Sequence, residues 1–89
     1  RYVVRGQVHS VMMLEGIDTE VIELSPSPDS KIIGVPLEQI DFPPDAVVGG
    51  IIKGGGEEIA MGKSIIEVGD RAIVFARASR VNDVEALFN

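Results

Sequence analysis

Ala46-Val47-Val48-Gly49-Gly50-Ile51-Ile52-Lys53 is the stretch on which the fold turns. Apolar residues fill both alternating sets of positions, so a strand here is covered on both faces. The Val and Ile side chains favour a pleated strand over a helix. Gly49 and Gly50 inside the run point to a bulge or a close backbone approach. Arg71–Ala76 (RAIVFA) repeats the doubly apolar pattern. One layer of one short domain does not cover two such strands on both sides, which predicts a second subunit or domain against them.

Working outward, Gly54–Gly56 turns the chain and Glu57–Met61 returns as a hairpin partner. Ser64–Val68 reads as a short extended piece ending at Gly69-Asp70, a tight turn in which Asp70 bonds nearby backbone N–H groups. Ser79 offers an N-cap, and Val81, Val84, Leu87 and Phe88 share one face of a closing helix. Upstream, Pro36–Ile40 reads as one or two helical turns, ended by Phe42-Pro43-Pro44-Asp45. Ser25–Ser30 (SPSPDS) is a loop, because prolines cannot donate to a ladder. Gln7–Leu14 and Thr19–Leu24 suit strands joined by a turn at Glu15–Asp18. The order ββ-α-βββ-α predicts an α+β domain over residues 1–89, with a small mixed or antiparallel sheet, a short helix and a C-terminal helix.

Composition narrows the function. The 89 residues include 14 acidic and eight basic side chains, a net charge of −6, and the basic ones form no patch in sequence. That argues against nucleic acid or an anionic membrane surface as direct partner. The absence of cysteine excludes disulfides and thiolate metal sites and fits a reducing cytosol. No apolar run is long enough to span a bilayer. A chain this short buries only about 60–65 % of its unfolded surface, which again predicts a partner subunit. The chain opens on Arg1 rather than Met, as a piece of a longer protein would.

No catalytic set assembles, and the chain is expected not to be an enzyme. Gly62-Lys63-Ser64 resembles the end of a phosphate-binding loop, but Glu57 stands where that loop needs glycine, and an extended segment follows rather than a helix. Gly54–Gly56 lacks dinucleotide-loop spacing, since the sixth position from Gly54 is Ile59. His9 is the only histidine, so a His-based metal site or relay has no second member. Glu57 and Glu58 are adjacent on a strand and point to opposite faces. Asp41 and Asp45 flank two prolines, where a hard cation is one reading and solvated loop carboxylates the commoner one.

The ordered set Ile33-Gly34-Val35-Pro36-Leu37, Phe42-Pro43-Pro44, Val47–Gly54 and Ile66-Glu67-Val68-Gly69-Asp70-Arg71-Ala72-Ile73-Val74-Phe75 resembles the C-terminal domain of TrkA-type regulators of potassium conductance. The closing Val84-Glu85-Ala86-Leu87-Phe88 fits the same family, so the resemblance runs from about Gly6 to Asn89. It implies a dimeric, cytosolic regulatory domain that controls a Trk or Ktr potassium-uptake system. It also implies attachment at the inner membrane through a transporter subunit. An N-terminal domain binding NAD(H) or adenine nucleotide is expected outside these residues, with no cofactor in the domain itself. Some members take a small effector between two copies. On that basis Asp45, Ala46 and Val47 are candidate ligand contacts, although the Asn and basic cluster of cyclic di-AMP binders are missing there. Lys53 matches the family's basic strand-end position, as an anion contact or a solvated strand end. Two other readings stay open: a dimerisation module without ligand, and the same domain serving another cation or carboxylate transporter.

Overall fold

The computed structural model describes residues 6–89. Five strands, β1 (Gln7–Met13), β2 (Thr19–Ser25), β3 (Ala46–Lys53), β4 (Gly56–Ile59) and β5 (Arg71–Arg77), form one sheet in the order β1-β2-β5-β3-β4. Every neighbouring pair is antiparallel, which decides between the mixed and antiparallel sheets that the sequence left open. Helix α1 (Val81–Phe88) closes the chain, and single 3-10 turns span Leu37–Gln39 and Ala78–Arg80. No helix among the described residues is long and apolar enough to cross a membrane.

The core lies on one face of the sheet. Ala72, Val74 and Ala76 of β5 point inward with Ile22 and Leu24 of β2 and Val48 and Ile51 of β3. Val84 and Phe88 of α1, with Ile32 and Ile66 from loops, pack onto them. Val48 and Ile51 are three residues apart and would face opposite sides of a regular strand. The register shift between Val48 and Gly50 inserts one extra residue and turns both inward. The expected Gly-Gly irregularity is therefore what keeps the strand's two ends in one core.

The Ser25–Ser30 loop caps α1 at its C-terminal end. Ser27 N–H donates to Phe88 O at 2.8 Å and Ser30 Oγ to Leu87 O at 2.7 Å. These groups satisfy carbonyls that a helix end otherwise leaves unpaired. Ser30 Oγ also accepts from Ile32 N–H at 3.3 Å. Ser30→Ala is accordingly expected to lower the unfolding free energy by about 1–2 kcal/mol in urea titration, since Ser30 is nearly buried.

One local expectation is corrected. Ser79 is not the helix cap: it lies inside the 3-10 turn, whose hydrogen bond from Val81 N–H to Ala78 O satisfies the entering backbone, and Arg80 precedes the helix without a side-chain cap. Ser64–Val68 is the short non-strand piece expected, leading into the Gly69-Asp70 turn. It makes one bridge, Ile65 to Pro36, because its carbonyls accept from the upstream loop: Ser64 O from Leu37 N–H and Ile66 O from Gly34 N–H.

Candidate functional site

The opposite face of the sheet is also apolar, and among the described residues no element covers it. On β5, Ile73 and Phe75 alternate with the buried residues and so face outward. Val21 and Val47 stand opposite Phe75 on the two neighbouring strands, and Met12 stands opposite Val21. Gly50 stands opposite both Ile73 and Ile59. Val47 is 60 % exposed and Ile59 80 %. An open groove of about 570 Å³ runs here, lined chiefly by Gly49, Gly50, Ile52, Ile59, Ile73 and Phe75. The glycines leave its floor bare. A Cβ on Gly49 would lie 2.6 Å from Cε1 of the Phe75 ring, so the ring rests directly over the backbone.

Polar groups rim this face. Arg71 Nη1 donates to Glu23 Oε2 at 2.6 Å, and Ser10 Oγ donates to the other carboxylate oxygen at 3.2 Å. Glu57 and Glu58 also line the groove. A surface of apolar side chains, bare backbone and flanking carboxylates offers contact area and orientation.

The four residues singled out from sequence do not form one site. Ala46 and Val47 line a smaller cleft of about 260 Å³ with Leu37, Glu38, Phe42 and Met61. Asp45 lies beside them, with Arg77 Nε at 3.9 Å and Arg80 Nε at 3.7 Å. This arginine pair was invisible as a patch in sequence, because the antiparallel register brings the end of β5 to the start of β3. Lys53 ends the same strand, roughly 20 Å away along β3 at the usual rise per residue. Its ammonium donates to Asp70 Oδ2 and, at 3.1 Å, to Ile65 O, with Glu67 Oε1 at 3.8 Å. Asp70 Oδ2 also accepts from Glu67 N–H at 2.9 Å, as expected for the Gly69-Asp70 turn. Lys53 therefore stitches the end of β3 to that turn.

The remaining sequence features resolve into local structure. In Gly62-Lys63-Ser64, Ser64 N–H donates to Met61 O at 3.0 Å and Met61 N–H to Ser64 Oγ at 2.9 Å, so the segment is a turn. His9 Nε2 and Ser25 Oγ share a hydrogen bond of 2.6 Å across β1 and β2. The groove-lining residues Ile59, Ile73 and Phe75 were not singled out from sequence. The signal was present in the doubly apolar RAIVFA run, but assigning one parity to the core needs the position of α1.

Residues 21–89 match the model of the TrkA-C domain. The chain belongs to the TrkA-C domain family. Similarity extends to part of several potassium-uptake proteins. A Trk system potassium uptake protein TrkA homolog 2 of Methanosarcina mazei is 41% identical over 81 residues, covering 91% of this chain and 18% of the relative. The Trk system potassium uptake protein TrkA of Halomonas elongata is 33% identical over 91 residues, covering 98% and 20%. The TrkA of Azorhizobium caulinodans is 30% identical over 88 residues, covering 99% and 19%. The chain thus spans about a fifth of the length of these curated relatives. The α+β architecture with a small antiparallel sheet and a C-terminal helix is this TrkA-C domain's fold.

Proposed function

We propose that this TrkA-C domain is a regulatory module of a potassium-uptake system, pairing through the outer face of its sheet and holding a small effector there. The observation that carries the reading is the uncovered apolar face, with Ile59, Ile73 and Phe75 lining a glycine-floored groove and exposed Val47 standing opposite Phe75 beside it. Such a face rimmed by polar residues marks an interaction or ligand surface. Relatives are named as Trk system potassium uptake proteins, which supplies the transport context. In this reading the domain binds and does not catalyse. It works in the cytoplasm, held at the inner membrane by a transporter subunit, and attaches to a nucleotide-binding domain that carries the NAD(H) or adenine nucleotide. An effector that fits one arrangement of the paired domains better than another shifts the population of transporter states.

A thermal-shift panel of nucleotides, cyclic dinucleotides and divalent cations tests the effector. A ligand at a hundred times its dissociation constant stabilises the native state by about 2.7 kcal/mol, which raises the midpoint of a domain this size by about 10 °C or more. The expected result is such a rise with one class, lost in Val47→Glu. A flat response to every class contradicts effector binding and favours a ligand-free pairing module.

A further inference from the structure

The two margins of the sheet, β1 and β4, differ in charge. β4 carries Glu57 and Glu58 side by side, the kind of charge that keeps edge strands from pairing. β1 (QVHSVMM) carries neither a carboxylate nor a Lys or Arg, although the chain has 14 acidic residues. All seven of its residues are exposed. Among the described residues no strand lies along its outer side, so the backbone N–H and C=O groups there are open to a ladder.

The side chains of β1 fit the same use. The ladder to β2 slips between Val8 and Ser10, and Ser10–Met13 then run regularly against Glu20–Glu23. Val8 and Val11 stand opposite the core residues Leu24 and Ile22, yet remain 37 % and 50 % exposed. Met13, on the same side by alternation, is 75 % exposed. One edge thus presents three apolar side chains on one face and Met12 on the other.

We propose that β1 is a strand-pairing surface for a second copy of this chain, joined antiparallel about a two-fold axis at Val11. Two five-stranded sheets then continue as one. A two-fold axis normal to the sheet pairs residues of equal parity, so Val11 meets its own counterpart and Ser10 meets Met12. Both pairings are neutral, and both lie in the regular segment beyond the bulge. A chain of net charge −6 repels a second copy over most of its surface, and this uncharged margin is where that repulsion is weakest. The same two-fold pairing at β4 sets carboxylates against carboxylates. The pairing edge is distinct from the groove on the outer face, which Met12 and Ser10 only border, and the proposal stands without that face being an interface.

Hydrogen exchange of the β1 amides, followed by mass spectrometry at low and high protein concentration, tests it. In the wild-type chain, exchange over residues 7–13 should slow by about tenfold or more at high concentration, because ladder amides exchange only after opening. The same slowing is expected in Val47→Glu, which lies on β3 and not on β1 or its neighbour β2. Val11→Lys sets two ammonium groups against each other and should abolish it, with unchanged circular dichroism. Exchange that is independent of concentration in the wild type overturns the proposal, and that comparison requires no substitution. Full concentration-dependent protection in Val11→Lys overturns it as well, as does its loss in Val47→Glu.

Discussion

Phe88→Ala is expected to lower the unfolding free energy by about 3–5 kcal/mol, the usual cost of emptying a fully buried aromatic site. A domain of this size has only about 5–13 kcal/mol in total. Among the described residues Phe88 is the largest fully buried side chain, and it stands at the end of an eight-residue helix. Its ring joins α1 to the sheet, and its carbonyl accepts Ser27 N–H. Gly6 lies so near that carbonyl that a Cβ there would collide with it. Losing the ring removes the anchor on which the loop and the chain's entry into β1 also depend. Urea denaturation followed by circular dichroism measures the loss. Leu87→Ala, at a partly buried neighbour, should cost clearly less.

Asp70→Ala should be the second most damaging change, at roughly 2–4 kcal/mol. Asp70 is almost buried and accepts from both the Lys53 ammonium and Glu67 N–H. Its removal takes this acceptor from Glu67 N–H and leaves the Lys53 ammonium with Ile65 O and the more distant Glu67 carboxylate. The Lys53 side chain is about a third exposed, which keeps the cost below that of a fully buried pair. The pair also has a pH signature. The hydrogen bond to Asp70 is the main cause that raises the Lys53 pKa above its ordinary 10.5, against the opposing effect of burial. A folded-state pKa above the unfolded one means that this stabilisation is complete below pH 10.5 and is lost as pH rises through the folded value. Denaturation midpoints should therefore fall on the alkaline side of 10.5 in the wild type. That component of the fall should be missing in Asp70→Ala.

Much of this architecture was legible because local rules agreed with the fold. Proline and glycine punctuation marked the elements, and Gly69-Asp70 declared its turn together with the Asp70 hydrogen bond to backbone. What was illegible depended on register. Nothing local says that Val48 and Ile51 share a face, since that follows from the bulge at Gly49. Nothing local places Arg77 beside Asp45, which are 32 positions apart and meet only through β3–β5 pairing. Ser79 has the chemistry of a cap, but a 3-10 turn had already satisfied the helix entry. Ala46, Val47 and Lys53 were grouped by family position. The strand's own length separates Lys53 from the others and gives it to Asp70. The doubly apolar strands carried the strongest signal, predicting cover on both faces while leaving open which residues face outward.

Pairing through that outer face is tested most directly by sedimentation equilibrium. The informative proteins are Val11→Lys, with pairing along β1 blocked, and the same protein carrying Val47→Glu in addition. Val47 is well exposed, so the added charge should leave the fold intact while placing a carboxylate on the apolar face beside Phe75. The predicted result is a dimer for Val11→Lys at high-micromolar concentration and a monomer for the double variant. A monomeric Val11→Lys protein, or a double variant that still dimerises, would contradict the outer face as the pairing surface.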